Sequence, residues 1–447
     1  MSQELVPVPS GDAVQLVFEG LPEVPLLAGS SSVLPILTKH FQRWPFFVHS
    51  EEGRPFLHVA QTKRGFLISS AEGGTERYDT SAEMLCDLGI ELAESVMRHR
   101  PGMQCLHCSA VALPSGGGEK LVVFPNVNRA GKSLLAACFL PYQARLFADD
   151  LLAVTEDGEG MAFGLPPRLR LPLPPTAQRL AQDMKTVPVH SDPRYAFLYA
   201  GEFIAPFGER LPVGAIVLPR RLSENRGRPP RLRRLSPESV LQCMIYQFQM
   251  RAGQAGAVLA LARRLCGSVP LWVLDYDSPE EAALLVTQEK SLFSLPSEAE
   301  EAARLSVDFL TEEDRLSALR HVRGRNFPSD RNLHWLRAPD THVHENGTFA
   351  YLIPKDESGI FGVDSFGLAV FALLAEPLSI AEAVRLLAEV FPQTGSARLE
   401  SDLSHFFRLL FEQGLIVRAH PPKRKKRGRS AFQGKEKPCK NIFRMKK

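Results

Sequence analysis

The chain has 447 residues, 44% of them hydrophobic and 23% charged, which supports two or three packed domains and excludes a disordered polymer. Its net charge of +3 averages two regions. Residues 421–447 carry 12 Lys and Arg and one acid, which leaves 41 basic and 49 acidic residues before them. The body is mildly acidic, and this excludes a broadly basic nucleic-acid-binding surface outside the tail. No apolar run approaches the ~18 residues that span a bilayer. No basic segment followed by an apolar core opens the sequence. Seven scattered cysteines lack a disulfide framework, and the single pair Cys105 and Cys108 reads as ordinary strand packing. These features predict a cytoplasmic chain without a membrane span.

Residues 1–100 read as an α+β region, with strands over 14–18 and 65–68 and an amphipathic helix over 82–98. Residues 101–294 read as a denser α/β unit. It opens with a strand over 106–112, a triple-glycine turn at 116–118 and a buried strand over 120–124. A polar loop over 126–130 then leads to a helix running from Gly131 through Leu140. A short strand over 145–148 ends in Asp149-Asp150, with a hairpin-like partner over 151–155. Further strands are expected over 213–218 and 269–274, and a helix over 239–248.

Residues 295–330 read as a charge-rich connector. Residues 331–420 form a compact unit with a strand pair over 341–353 and helices over 365–374, 379–391 and 397–413. Ser365 and Ser379 stand where N-caps are wanted, and Gly414 where a helix ends. The remainder, 421–447, is a like-charge block that repels itself and is expected to be disordered.

One stretch carries chemistry. In residues 122–133 a buried strand feeds the loop Asn126-Val127-Asn128-Arg129-Ala130, and the loop feeds Gly131-Lys132-Ser133-Leu134. That is the layout of a P-loop, in which loop amides cradle phosphates, the lysine reaches the β and γ oxygens and the serine hydroxyl ligates Mg²⁺. The strict pattern has glycine where Asn126 stands. Asparagine is the non-glycine residue best suited to a left-handed backbone, and its N–H still donates. Asp149 and Asp150 close the next strand, 17 residues after Lys132 at the first of them. Carboxylates there would lie beside the γ-phosphate, one on Mg²⁺ and one accepting a proton from an attacking hydroxyl.

The order Leu106-His107-Cys108-Ser109, then strand, then Gly131-Lys132-Ser133, then Ala148-Asp149-Asp150 resembles the catalytic region of HPr serine kinase/phosphorylase and the proteins related to it. Pro166-Pro167-Arg168-Leu169-Arg170-Leu171 and the strand over 269–274 extend the likeness across about residues 10–290. The longer signature associated with phosphorylase activity is not evident. The resemblance implies a P-loop core of the HPr-kinase-like (PEP-carboxykinase-like) type that binds ATP and Mg²⁺. It places Asn126, Asn128, Arg129, Ala130, Gly131, Lys132, Ser133 and Leu134 around the nucleotide, and Ser133 with Asp150 on the metal. Asp149 would be the catalytic base, His107 would lie near the transferred phosphate, and Arg168 and Arg170 would face phosphate or substrate.

Residues 333–418 resemble a PqqD-like domain, a small winged-helix unit that captures a leader peptide by strand addition. The likeness rests on the strand pair, Phe361-Gly362-Val363-Asp364-Ser365, Ser379-Ile380-Ala381-Glu382 and Gln413-Gly414-Leu415-Ile416. Together the two resemblances imply a kinase acting on a Ser or Thr hydroxyl of a ribosomally made precursor peptide, alone or beside a partner biosynthetic enzyme, with self-association left open. Two alternatives also stay open: a non-catalytic accessory protein that delivers a leader peptide, and a kinase for another protein or a small molecule.

Overall fold

The computed structural model describes residues 14–21, 26–28, 33–49, 56–70, 74–126, 130–142, 144–187, 189–222, 227–251, 253–297, 327–347 and 349–419. Most of the expected connector and the basic tail lie outside these. The described residues are mixed α/β, and none of their helices is long and apolar enough to cross a membrane.

The N-terminal region pairs β1 (Val14–Phe18), β2 (Leu26–Ala28), β3 (Phe46–His49), β4 (Leu57–Thr62), β5 (Gly65–Ser70) and β6 (Thr75–Tyr78) in the order β3-β1-β2-β4-β5-β6. Helices α1 (Val33–His40) and α2 (Ser81–Arg98) accompany that sheet. Helix α2 forms because Leu85, Leu88, Leu92 and Val96 recur at helical spacing and are all buried. Thr80 caps it, its hydroxyl accepting from the Glu83 N–H at 3.2 Å. The core beneath α2 continues past residue 100, where Met103, Leu151, Met161 and Phe207 join Leu16 and Leu37. The boundary expected at residue 100 is a change of pattern and not a break in packing.

Next come β7 (Met103–Leu106), β8 (Cys108–Ser115), β9 (Gly118–Pro125), β10 (Arg145–Ala148), β11 (Leu152–Thr155) and β12 (Glu159–Met161). A small separate sheet holds β13 (Arg168–Arg170), β14 (Val189–Ser191) and β15 (Tyr195–Leu198). Strands β16 (Arg210–Arg221), β17 (Arg231–Arg234), β18 (Phe248–Gln249) and β19 (Leu271–Tyr276) then complete a ten-stranded mixed sheet with β7 to β12. Its helices are α3 (Lys132–Ala137), α5 (Pro237–Gln247), α6 (Ala255–Ser268) and α7 (Pro279–Gln288), while α4 (Gln178–Asp183) lies between β13 and β14.

Strand β9 reads as a continuous apolar run because both faces of the sheet are covered. Leu121 and Val123 face α5 and α6, whereas Val122 and Phe124 face α3 and α7. Strand β10 runs antiparallel to β8, and β8 antiparallel to β9, so β10 is parallel to β9. Strand β16 is parallel to β9, and β19 to β16. All four strands therefore end at one edge of the sheet, where open α/β sheets place their ligands.

Three expectations are corrected here. The strand expected over 106–112 is broken at His107, where the chain passes from β7, paired with β11 and β18, to β8, paired with β9 and β10. Helix α3 stops at Ala137 instead of Leu140, since Pro141 has no N–H to continue it. Strand β11 is not the hairpin partner of β10, because it pairs with β7 and β12.

The C-terminal unit has two three-stranded sheets. One holds β20 (His334–Arg337) between β24 (Leu378–Ser379) and β25 (Ile416–Arg418). The other holds β22 (Phe349–Ile353) between β21 (His342–Asn346) and β23 (Phe361–Asp364). Helices α8 (Ser365–Leu373), α9 (Ile380–Val390) and α10 (Ser396–Glu412) pack on them. Ser379 and Glu382 form a reciprocal capping box, and Gly414 is left-handed at φ 71°. At α8 the cap is Asp364, which accepts from the Gly367 N–H at 2.7 Å, so Ser365 is the first helical residue and not the cap. Tyr351 and Ile353 pack into the core that holds α5 and α6, joining this unit to the large sheet.

Candidate active site

Strand β9 delivers the chain to Asn126 at the shared edge. Residues 127–129, which include the expected Asn128 and Arg129, lie outside the described residues. Asn126 is buried, and its Nδ2 donates to the Pro219 carbonyl on β16 at 2.6 Å. Its backbone is not left-handed. An anchored side chain, and not a glycine-like backbone, fixes the start of the loop. The left-handed residues of the site are Gly131 at φ 85° and Asp150 at φ 66°.

Gly131 is required on two counts, since a Cβ there would also lie 2.8 Å from Tyr276 Oη. That hydroxyl donates to the Ala130 carbonyl at 3.3 Å and ties the loop to the end of β19. Lys132 opens α3 and is buried, with Nζ donating to the Asn126 carbonyl at 2.7 Å. Burial lowers its pKa, and the charge of Asp150 opposes that shift. Leu134 is half-buried against the core beneath α3.

Strand β10 delivers Asp149 and Asp150 to the same edge. Asp149 is buried and fully engaged: Oδ1 accepts from Ser109 Oγ at 2.6 Å, and Oδ2 accepts from the Arg168 N–H at 2.8 Å. The Ser133 side chain lies near enough to favour its charged form. Burial, then the neighbouring charge of Asp150, pushes its pKa up to about 6, and these hydrogen bonds limit the rise. Asp150 lies the other way. Burial opposes its ionisation, but His107, Arg168 and Lys132 together hold it below the usual carboxylate range. Arg168 Nη2 donates to Asp150 Oδ2 at 2.7 Å, and His107 Nε2 lies 3.6 Å from Oδ1. Two adjacent carboxyls with pKa values driven apart can divide the labour of proton acceptor and fixed anion.

Of the sequence-expected residues, the fold brings Asn126, Ala130, Gly131, Lys132, Ser133, Asp149, Asp150, His107 and Arg168 together. Arg170 is exposed, and its side chain makes no hydrogen bond or ion pair with the described residues. The sequence reading missed Ser109, a buried polar residue within an apolar strand, and that contrast was its available signal. It also missed Tyr276. Among the described residues no three His, Cys, Asp or Glu side chains gather into a protein-only metal cage. Mg²⁺ is ordinarily held by one or two carboxylates together with phosphate oxygens. The oxygen set of Ser133, Asp149 and Asp150 fits that ion. Cys105 and Cys108 are both buried, and burial raises both thiols, Cys105 to about 12, as strand packing requires. No family model matches the chain, and no curated protein matches it.

Proposed function

We propose that the chain is an ATP-dependent phosphotransferase related to HPr kinases. It transfers a phosphoryl group to a Ser or Thr hydroxyl of a ribosomally made precursor peptide. The observation that carries this reading is the convergence of two strand ends, which sets the buried Lys132 of the Gly131-Lys132-Ser133 turn close enough to the Asp149 and Asp150 carboxylates for their charges to act on it. In this reading Lys132 leaves the Asn126 carbonyl for a phosphate oxygen, a stronger charge-assisted partner. Asp149 takes the hydroxyl proton. Asp150 and Ser133 hold the metal, and Arg168 fixes both carboxyls. Mg²⁺, when bound, neutralises phosphate charge.

Residues 333–418 supply peptide capture as a PqqD-like unit. In support, β21 and β23 flank β22, and each lacks a second strand partner among the described residues. Strand addition uses such an edge.

Thermal unfolding with and without MgATP tests the reading, because a ligand bound only to the native state raises the midpoint. Wild type is expected to shift at millimolar MgATP and Lys132→Ala is not. A wild type that does not shift overturns the assignment.

A further inference from the structure

The acidic body carries one basic exception, at the sheet edge that holds the Gly131-Lys132-Ser133 loop. Residues 220–234 contain seven arginines and a single acid. They begin directly after Pro219, whose carbonyl anchors Asn126, and they return to the sheet as β17. Strand β17 pairs with β19 alone among the described residues, so its other side is an open edge.

The side chains of β17 divide by parity. Leu232 packs on the core beneath α3 and α7, and Arg234 stays on that face with its guanidinium over the Trp272 ring. Arg231 and Arg233 take the opposite face, where they stand across from Asp275 and Val273 of β19, and both are exposed. Buried Asp275 accepts from Arg233 Nη2 and from Arg220 Nε, so two guanidiniums share one carboxylate. Each guanidinium is a fork of five donors, so the shared acid fixes both in direction and leaves donors and one positive charge to spare. Arg231 adds a second charge, since its side chain makes no hydrogen bond or ion pair with the described residues. Charge alone would keep an open edge from aggregating. That purpose does not call for a buried carboxylate to aim a guanidinium.

We infer that β17 is a docking strand: an extended acidic segment of the acceptor peptide pairs along its open edge, with carboxylates facing Arg231 and Arg233. That the peptide is a phosphate acceptor rests on the phosphotransferase reading; the docking does not. An extended chain turns every second side chain to one face, so acids at i and i+2 meet both guanidiniums together. Opposite charges across a strand pair attract, and the arginine fork matches a carboxylate. The unpaired backbone of β17 favours a peptide over a nucleic acid, which offers no matching ladder. The fold also sets a spacing. From β17 to β10, which carries Asp149, the strand order is β17-β19-β16-β9-β8-β10, or about 24 Å at about 4.8 Å per strand. At about 3.3 Å per residue, about seven or more residues separate the acidic pair from the hydroxyl.

Fluorescence anisotropy with the full chain tests the docking, using dye-labelled peptides of alternating Asp and Thr, the same peptide with Lys for Asp, and the acidic peptide with Pro for Thr. A single-stranded RNA is the fourth probe. The basic residues 421–447 are present in every protein compared, so only differences between variants and between peptides count. The Asp-Thr peptide is expected to bind, and the Lys peptide is not. Proline keeps the charges but removes the N–H groups that pair with the edge, and should weaken binding about tenfold. Arg231→Ala should weaken the Asp-Thr peptide about threefold and Arg231→Glu about tenfold, with the MgATP thermal shift unchanged in both. In transfer from γ-labelled MgATP, an acidic pair about ten residues from a Ser should lower the acceptor KM, and a pair about three residues away should not. Unchanged binding in Arg231→Glu, equal binding of the Pro peptide, or an RNA that loses as much affinity in Arg231→Glu as the peptide does overturns the docking strand alone. A wild type that binds the Asp-Thr peptide as expected but shows no MgATP shift overturns the phosphotransferase reading and leaves the docking strand standing.

Discussion

Arg168 holds Asp149 and Asp150 by two different groups, its backbone N–H on the first and its guanidinium on the second. The guanidinium supports the anion that is kept charged. The backbone dipole supports the carboxyl that is left free to titrate. Asp150 adopts a left-handed backbone at φ 66°, which costs an L-residue about 1–2 kcal/mol. That strain turns the second carboxyl toward His107 and Arg168 rather than continuing β10. Strain of this kind persists where the surroundings over-determine it, as at binding and catalytic sites.

Asp149→Asn separates proton transfer from binding. Transfer should fall about 10²–10⁴-fold while the MgATP shift remains, because the amide can still accept from the Arg168 N–H and donate to Ser109. The wild-type rate should rise with pH through about 6 and level off above it, following the ionisation of Asp149. Stability should move the opposite way. The folded pKa is raised above the ordinary 3.8, so the native state binds more protons between 3.8 and about 6, and wild type loses stability across that window as pH rises. Asp149→Asn should therefore be more stable than wild type at pH 7, by about 1–3 kcal/mol, and match it below pH 4. Urea unfolding at both pH values checks this.

Gly131→Ala should destabilise the chain by about 1–2 kcal/mol through its φ of 85°. A further cost comes from the approach to Tyr276 Oη. Tyr276→Phe removes that hydroxyl along with its bond to Ala130. The double variant should be less destabilised than the sum of the two single variants, and a double-mutant cycle in urea measures the difference.

Asp275 is buried at the end of β19, where it accepts from Arg220 Nε at 2.6 Å and from Arg233 Nη2. Burial works against its ionisation, but the two guanidiniums hold its pKa below the usual range. Its stabilising contribution is present above the ordinary 3.8 and is lost as pH falls through the folded value. Asp275→Asn should cost about 1–3 kcal/mol at neutral pH, since both arginines keep some access to water. The gap from wild type should narrow as pH drops below 3.8, as measured by chemical unfolding across pH.

What the sequence made legible was local. The strand into Gly131-Lys132-Ser133, the strand end at Asp149-Asp150 and the capping box at Ser379 each depend on residues within one element and its neighbours. What it hid depends on partners far along the chain. Nothing near His107 signals a break, because its flanks are apolar on both sides; the break exists because β7 and β8 pair with different strands. Asn126 looked like a glycine substitute, since the carbonyl that fixes it lies on β16, 93 residues later.

The C-terminal unit also supports the start of α6, through Glu357. The N-cap of α6, Gln254, makes no side-chain cap bond. Instead Glu357, in the turn between β22 and β23, accepts from the Gly256 N–H at 3.0 Å. A helix start is favoured by a carboxylate both as a hydrogen-bond acceptor and by the macrodipole. Glu357 reaches it from a left-handed backbone at φ 49°, so its own conformation opposes the bond it makes. Glu357→Ala removes the carboxylate and keeps the backbone cost, and should destabilise the chain by about 1 kcal/mol. Glu357→Gly loses the same bond but relaxes φ, and should be the milder change. Glu357→Gln keeps an acceptor without the charge and should fall between wild type and Ala. Urea midpoints rank the four proteins, and amide exchange in the first turn of α6 localises the effect. Equal midpoints for wild type and Ala, with no faster exchange at Gly256, would show that α6 starts without help from Glu357.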